Sequence, residues 1–356
     1  MGVSLLKIER LCARLLQICS AKLNLSRQIY VHQRVQEYRE MWRAVSEAIG
    51  AKFIVVKDDL WEIELRGKTT RILNYKLEMD NPVMLEMANM KPLMYRLLKQ
   101  NGLCPPEHLV FSLEKLHAAR HFLRVHPKGC VVKPARGTSS GLGVTTHVLT
   151  SKDLRRAAVL ASLYCPELII EPNIPGESYR LLVLNGKMIH AVCRRGPRLC
   201  GDGVSTVSEL IRADNQRRSC SDEKTLDIDR DCLFTLGYQN LTLESVPEEN
   251  REFVVKSVND PNGKRTEVRT VYNKVVTDLI CRSLINDVES AARVLRSEFA
   301  GVDIITTDPT VPLEKSGGVI NEVNTTPGLH HHYNVESKSE QYPQAAVEVL
   351  TYLLEK

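Results

Sequence analysis

Hydrophobic spacing divides the chain into a series of short elements. In residues 4–24, Leu5, Ile8, Leu11, Leu15 and Ile18 share one helical face, with Lys7, Arg10, Arg14 and Lys22 elsewhere. The pattern predicts an amphipathic helix that packs on its own domain, and leaves open a membrane surface, a partner or a homodimer. Residues 33–49 predict a second helix, ended by Gly50. A strand over 51–56 and a hairpin of 60–65 with 70–73 around Gly67 follow.

Lys91-Pro92-Leu93 opens a helix to Gln100, stopped by Asn101-Gly102. A strand over 108–111 and a helix over 113–125 come next. Strands over 130–134 and 143–148 flank a glycine-rich stretch, 152–163 is helical, and 168–171 is an apolar strand ending on Glu171. Strands 179–184 and 188–193 form a hairpin turned by Asn185-Gly186. Residues 201–260 are polar and irregular, apart from a helix near 205–218. A long helix lies within 276–299, short apolar strands cover 302–304 and 320–324, and a helix spans 344–354. There is no internal repeat. The order predicts an α/β (α+β) chain in three parts: a helical and α/β domain over 1–88, a subdomain with the glycine-rich loop over 89–175, and a C-terminal subdomain over 176–356.

Composition narrows the function classes. The 356 residues are 43% hydrophobic and 26% charged with a net charge of +5, the profile of a globular protein suited to anionic small substrates. No dense Lys/Arg run argues for nucleic acid. No apolar stretch reaches the ~20 residues of a membrane span. The ten cysteines are scattered, without a CxxC pair or a secretory signal, and predict reduced thiols in the cytoplasm.

The stretch from Val131 to Val144 holds the most specific chemistry. An apolar strand end leads to Lys133, then to Gly137, Thr138, Ser139, Ser140, Gly141 and Gly143. Bare backbone lets N–H groups converge on an anion, and Lys133 and Arg136 add positive charge. The stretch predicts a loop covering phosphates, with a plain glycine-rich hairpin as the alternative. It is not a Walker loop, because no Gly-Lys-Ser/Thr ends it. Two further strands carry acids. Glu322 and Asn324 are two apart and point to one face, and Asp303 lies on a strand that can pair beside them. Their hard oxygens suit magnesium, with nucleotide phosphates completing the shell.

The order of these features resembles the ATP-grasp superfamily, and within it the ATP-grasp domains of cyanophycin synthetase and related amino-acid ligases. The resemblance rests on Val132-Lys133-Pro134, Ile174-Pro175-Gly176, Tyr179-Arg180-Leu181-Leu182-Val183, Gly201-Asp202-Gly203-Val204-Ser205-Thr206 and Glu322-Val323-Asn324-Thr325-Thr326-Pro327-Gly328. It covers roughly 88–335. It implies two α+β subdomains gripping ATP and an ADP-forming carboxylate–amine ligase that uses ATP and Mg²⁺, with Mn²⁺ as a substitute. Its substrates would be a small carboxylate and an amine from an amino acid or peptide, joined through an acyl phosphate.

The resemblance also implies residue roles. Lys91 and Lys133 would contact nucleotide phosphates under the lid loop of Gly137, Ser139, Ser140 and Gly141. Glu171 would accept from the adenine amino group, with Asn173 and Ile174 offering backbone groups to the adenine edge. Arg180 and Arg194 or Arg195 would meet phosphate and acyl-phosphate oxygens. Asp303, Glu322 and Asn324 would hold the metal. In relatives an acid just before the Tyr-Arg pair holds the ribose; here Ser178 stands there and Glu177 one residue earlier. Lys256 opens the stretch 256–265 that would face the substrate. One of His330, His331 and His332 would contact a substrate carboxylate or take the amine proton, with His330 and His331 as the candidate substrate-binding residues, an exposed polar loop being the alternative. Three adjacent histidines do not make a zinc site. A non-catalytic ATP-binding assembly protein and an ATP-grasp kinase are the competing functions.

Overall fold

The computed structural model describes residues 6, 8–15, 25–79, 81–137, 141–220, 225–256, 273–333, 335 and 344–356. Thr138, Ser139 and Ser140 of the expected lid, and 257–265 of the expected substrate stretch, lie outside the described residues. Among the described residues, no helix is long and apolar enough to cross a membrane.

Helix α1 (Leu25–Ala48) leads into an antiparallel meander of β1 (Lys52–Lys57), β2 (Leu60–Leu65), β3 (Lys68–Leu73) and β4 (Lys76–Leu77). Arg66 and Gly67 both have positive φ, so the β2–β3 turn has the handedness that matches strand twist. Helices α2 (Pro82–Ala88) and α3 (Lys91–Gln100) follow. The start of α2 was legible but not read: Asn81 caps it and Pro82 sits in its first turn.

A four-stranded antiparallel sheet then forms in the order β5-β8-β6-β7 from β5 (Leu109–Phe111), β6 (Cys130–Pro134), β7 (Thr145–Val148) and β8 (Leu168–Pro172). Helices α4 (Leu116–Val125) and α5 (Ser151–Ser162) bury Leu116, Phe122 and Leu154 against Val132, Leu168 and Ile170 of this sheet. The glycine-rich stretch is the β6–β7 connection, as its pattern requires.

A second sheet has five strands. Its order is β13-β10-β9-β14-β15, from β9 (Glu177–Leu184), β10 (Lys187–Arg194), β13 (Lys274–Val275), β14 (Phe299–Thr306) and β15 (Val319–Thr325). One face carries Tyr179, Leu181, Val183, Ala191, Val302, Ile304 and Val323 into a core shared with α3 and with α8 (Arg282–Leu295). Helix α8 is shorter than the 276–299 window because Arg296 turns left-handed and Phe299 already begins β14. The interval 201–260 is more ordered than its polarity suggests. Strands β11 (Arg198–Cys200) and β12 (Glu252–Val254) pair, and α6 (Val207–Cys220) and α7 (Arg230–Tyr238) pack Ile211 and Leu236 on Phe253. The short helices α9 (Leu313–Ser316) and α10 (His330–Tyr333) flank β15, and α11 (Gln344–Glu355) ends the chain.

Two packing results differ from the hydrophobic pattern. The N-terminal unit shares its core: Trp42, Trp61 and Ile72 bury together with Val349 and Leu350 of α11 and with Leu182, Leu184 and Phe299 of the large sheet. The helix over 8–15 also docks by its other side. Leu6 is buried, Arg10 donates to the Ser162 carbonyl and Arg155 pairs with Glu9, whereas Ile8, Leu11 and Leu15 are each more than half exposed. The expected packing of that apolar stripe is therefore corrected; polar contacts to α5 decide the orientation.

Gly176 fixes how the two sheets join. A Cβ there would stand 2.2 Å from the Thr306 carbonyl carbon, and its φ is +119°. Gly176→Ala is expected to cost about 2–4 kcal/mol from overpacking and backbone strain together, read as a lowered urea midpoint. An unchanged midpoint would show that this crossing is loose.

Candidate functional site

Strand register sets the site face of the large sheet. Arg180 lies opposite Asp303, Asp303 opposite Glu322, and Gly301 opposite Asn324. On the other side Arg194 lies opposite Ser178 and His190 opposite Leu182. Directly paired residues share a face, so Ser178, Arg180, Arg194, His190, Asp303, Glu322 and Asn324 stand together, away from the core side chains of the same strands. Arg180 donates Nε to Asp303 Oδ1 and Nη2 to Oδ2, both at 2.7 Å, and Arg194 Nη2 reaches Oδ2 at 3.2 Å. Burial alone would push the Asp303 carboxyl up, but the two guanidiniums outweigh it and hold it below the usual carboxylate range.

The small sheet contributes from across the join. Lys91 begins α3, whose first turn is tied to the end of β6 by the Lys91 N–H on the Ala135 carbonyl (3.1 Å). Its ammonium meets Glu322 Oε1 at 3.3 Å. Lys133 is buried on β6 and donates to Glu171 Oε2 (2.8 Å), Tyr95 Oη (2.9 Å) and Asn321 Oδ1 (3.3 Å). A lysine ammonium has three donors, and here all three are committed. Tyr95 in turn donates to the Asn321 carbonyl at 2.9 Å; burial first, and then Glu171, raises its pKa, so it stays protonated. Glu171 Oε1 is buried without a partner.

Asn321 reaches Lys133 because β15 carries an extra residue. Register runs from Asp303–Glu322 to Ile304–Ile320, leaving Asn321 at a bulge. A bulge re-aims a side chain in a way that simple alternation cannot show.

Past β15, Thr326 adopts a left-handed conformation (φ 48°) and the chain folds back over the sheet. Gly301 permits this, since a Cβ there would meet Pro327 Cβ at 2.7 Å. The return places α10 over the site face. Tyr38 of α1 bonds His330 Nδ1 at 2.8 Å, and His332 Nδ1 lies 2.7 Å from His190 Nδ1. His331 and His332 are pushed well below the usual imidazole range by burial and by neighbouring histidines and the Arg180 and Arg194 charges.

No family model matches the chain. The chain is 28% identical over 322 residues to a cyanophycin synthetase of Trichormus variabilis, covering 85% of this chain and 35% of that protein. It is 30% identical over 265 residues to the glutathione biosynthesis bifunctional protein of Listeria welshimeri, covering 72% and 33% respectively. It thus spans about a third of the length of these curated relatives. Its fold superposes on the bifunctional glutathione synthetase of Pasteurella multocida with a TM-score of 0.55 at 20% identity, over 85% of this chain and 41% of that one. The chain belongs to the ATP-grasp superfamily.

The two α+β subdomains of the ATP-grasp fold are thus the β5–β8 and β9–β15 sheets with their helices. Within it the structure brings Lys91, Lys133, Glu171, Arg180, Arg194, Asp303, Glu322 and Asn324 to one region. Gly137 and Gly141, on either side of residues 138–140, have positive φ. Other expected residues are engaged elsewhere. Arg195 pairs with Glu252 rather than Asp303. Glu177 is ion-paired with Arg198, which also holds Glu252. Lys256 pairs with Asp229 at 2.7 Å. The Asn173 N–H is committed to the Gly129 carbonyl at 2.9 Å. Tyr38, Tyr95, His190 and Asn321 were missed. Only Tyr95 had a usable signal, four residues after Lys91 on the same helical face.

The Lys133 node is directly testable. Lys133→Met leaves the Glu171 carboxylate buried without its cation, and is expected to destabilise the chain by about 3–5 kcal/mol. Adding Glu171→Gln is expected to recover part of that loss. Equal urea midpoints for wild type and Lys133→Met would contradict it.

Proposed function

We propose that the chain is an ATP- and magnesium-dependent carboxylate–amine ligase acting on amino-acid or peptide substrates. The observation that carries this reading is the convergence of Lys91, at the start of α3, and Lys133, on the small sheet, with Asp303, Glu322, Arg180 and Arg194 of the large sheet. Phosphoryl transfer needs little more than such positioning and charge neutralisation. Relatives named for making cyanophycin and glutathione support an amino-acid-derived substrate pair.

The residues present fit the implied groups. Asp303, Glu322 and Asn324 offer only oxygens and an amide, a donor set for magnesium rather than a soft metal. Asn324 Nδ2 is buried without a partner, so the amide is free to present its oxygen instead. The unpartnered Glu171 Oε1 is placed to accept from an exocyclic amino group such as that of adenine. Lys91 and Lys133 would meet the phosphates. When bound, the metal would neutralise phosphate charge.

The chain's own groups account for the rest. Arg180 and Arg194 orient the substrate carboxylate and carry positive charge where oxygens gain negative charge. A carboxylate oxygen attacks the γ-phosphorus, the bond to the bridging oxygen breaks, and ADP leaves with its electrons. The amine nitrogen then attacks the acyl carbon, the bond to the phosphate oxygen breaks, and phosphate leaves. No protein nucleophile is required. None of the nine described cysteines is in a disulfide, which supports a reducing, cytoplasmic setting.

Incubation of the purified chain with ATP, Mg²⁺ and an amino-acid pool is expected to give ADP and a product whose mass equals two substrates less water. ADP release that never depends on an acid and amine pair would remove the ligase reading. A product gaining one phosphate on a hydroxyl would replace it with a kinase.

A further inference from the structure

The histidine pair between α10 and β10 is not used by the chemistry above. His332 is only 2% exposed, and its Nδ1 lies 2.7 Å from Nδ1 of half-buried His190. That separation is a shared proton, not a shared metal: two nitrogens on one tetrahedral zinc stand about 3.3 Å apart. No third ligand joins them among the described residues. The other ring nitrogen, His332 Nε2, is buried without a partner. A buried polar atom left unpaired in a polar region calls for an explanation.

Position supplies it. His190 pairs in register with Leu182, two residues along β9 from Arg180, and so stands on the site face. A β-bulge between Met188 and His190 puts it there. The groups that feel His332 electrostatically are His190, Arg180, His330 and Arg194, and His331 is its chain neighbour. Two of these are the arginines assigned to the acyl phosphate. Burial among those cations keeps the imidazole neutral and its lone pair available.

We infer that His332 is the general base for the amine, taking its proton at Nε2, and that His190 is the positioning residue that fixes the tautomer. This rests on the ligase reading. If His332 carries its proton on Nδ1 and donates to His190 Nδ1, Nε2 holds the lone pair. As the carbon–nitrogen bond forms and phosphate departs with the electron pair of its bond, the amine's N–H proton moves to His332 Nε2. The Nδ1 proton passes to His190 Nδ1, and the proton on His190 Nε2 leaves to solvent. After the step both rings stand in the other tautomer. They return to their starting form when His332 Nε2 gives its proton to the departing phosphate, the shared proton shifts back to His332 Nδ1 and His190 Nε2 takes a proton from solvent, so the amine's proton leaves with the phosphate.

The test separates the two half-reactions. Hydroxylamine is already unprotonated at neutral pH, so it captures an acyl phosphate without a base. With ATP, Mg²⁺ and the acid substrate, His332→Gln is expected to form hydroxamate within about twofold of wild type. Amide formation with the natural amine is expected to fall about 100-fold or more, in kcat rather than KM. His190→Gln is expected to show the same split with a smaller loss. Imidazole added to His332→Ala is expected to restore part of the amide rate. Hydroxamate and amide falling together would overturn the proposal in favour of a structural role, and so would an unchanged amide rate. Failure of wild type to form hydroxamate from any acid would instead overturn the ligase reading, and this inference with it.

Discussion

The buried ammonium of Lys133 is the constraint on which the two halves depend. A lysine removed from water must find a counter-charge and acceptors for its protons. Here the counter-charge comes from the neighbouring strand of its own sheet, and the acceptors come from α3 and from the bulge of the opposite sheet. Satisfying that one cation therefore ties β6, β8, α3 and β15 together. It also holds the base of the glycine-rich connection at a fixed distance from the acids of β14 and β15. A phosphate arriving there would compete with protein oxygens for lysine protons, and the longest of the three bonds, to Asn321, is the one most readily given up.

The large sheet solves a second problem. It must bury an apolar face and still expose a cluster of charges. Alternation does this without special devices: Tyr179, Leu181 and Val183 enter the core while Ser178 and Arg180 face the site. Beyond Arg180 the site face turns apolar again at Leu182 and Leu184, which anchor the N-terminal layer and α11. The charged patch is thus closed at one end by hydrophobic packing, and α1 brings Tyr38 to its rim. Gly301 completes the arrangement by admitting Pro327 and hence the histidine turn. Asp303 is held by the guanidiniums of Arg180 and Arg194, so it remains ionised although buried.

Much of this was legible in the sequence, and the misses share a cause. Lys91, Lys133, Asp303 and Glu322 could be picked out because their positions depend on local signals: a helix start, a strand before glycines, alternation along a strand. Asn321 and His190 could not, because each sits where a bulge breaks the alternation that sequence reasoning assumes. Tyr38 meets His330 across 292 positions, a contact that no periodicity encodes. The helix over 8–15 went the opposite way to its apolar stripe, since Arg10 and Glu9 found specific partners on α5. Arg195 and Glu177 looked eligible by type and place, and only the β11–β12 pair, itself hidden in a polar stretch, shows that ion partners already hold them.

The most direct test of the account is a crystal structure of the chain with Mg²⁺ and a non-hydrolysable ATP analogue. The account predicts a triphosphate between Lys91 and Lys133 on one side and Asp303 and Glu322 on the other. It also predicts the adenine amino group on Glu171 Oε1 and the contact between Lys91 and Glu322 opened. A nucleotide bound elsewhere, or one that leaves Lys133 with all three of its present partners and no phosphate nearby, would contradict it.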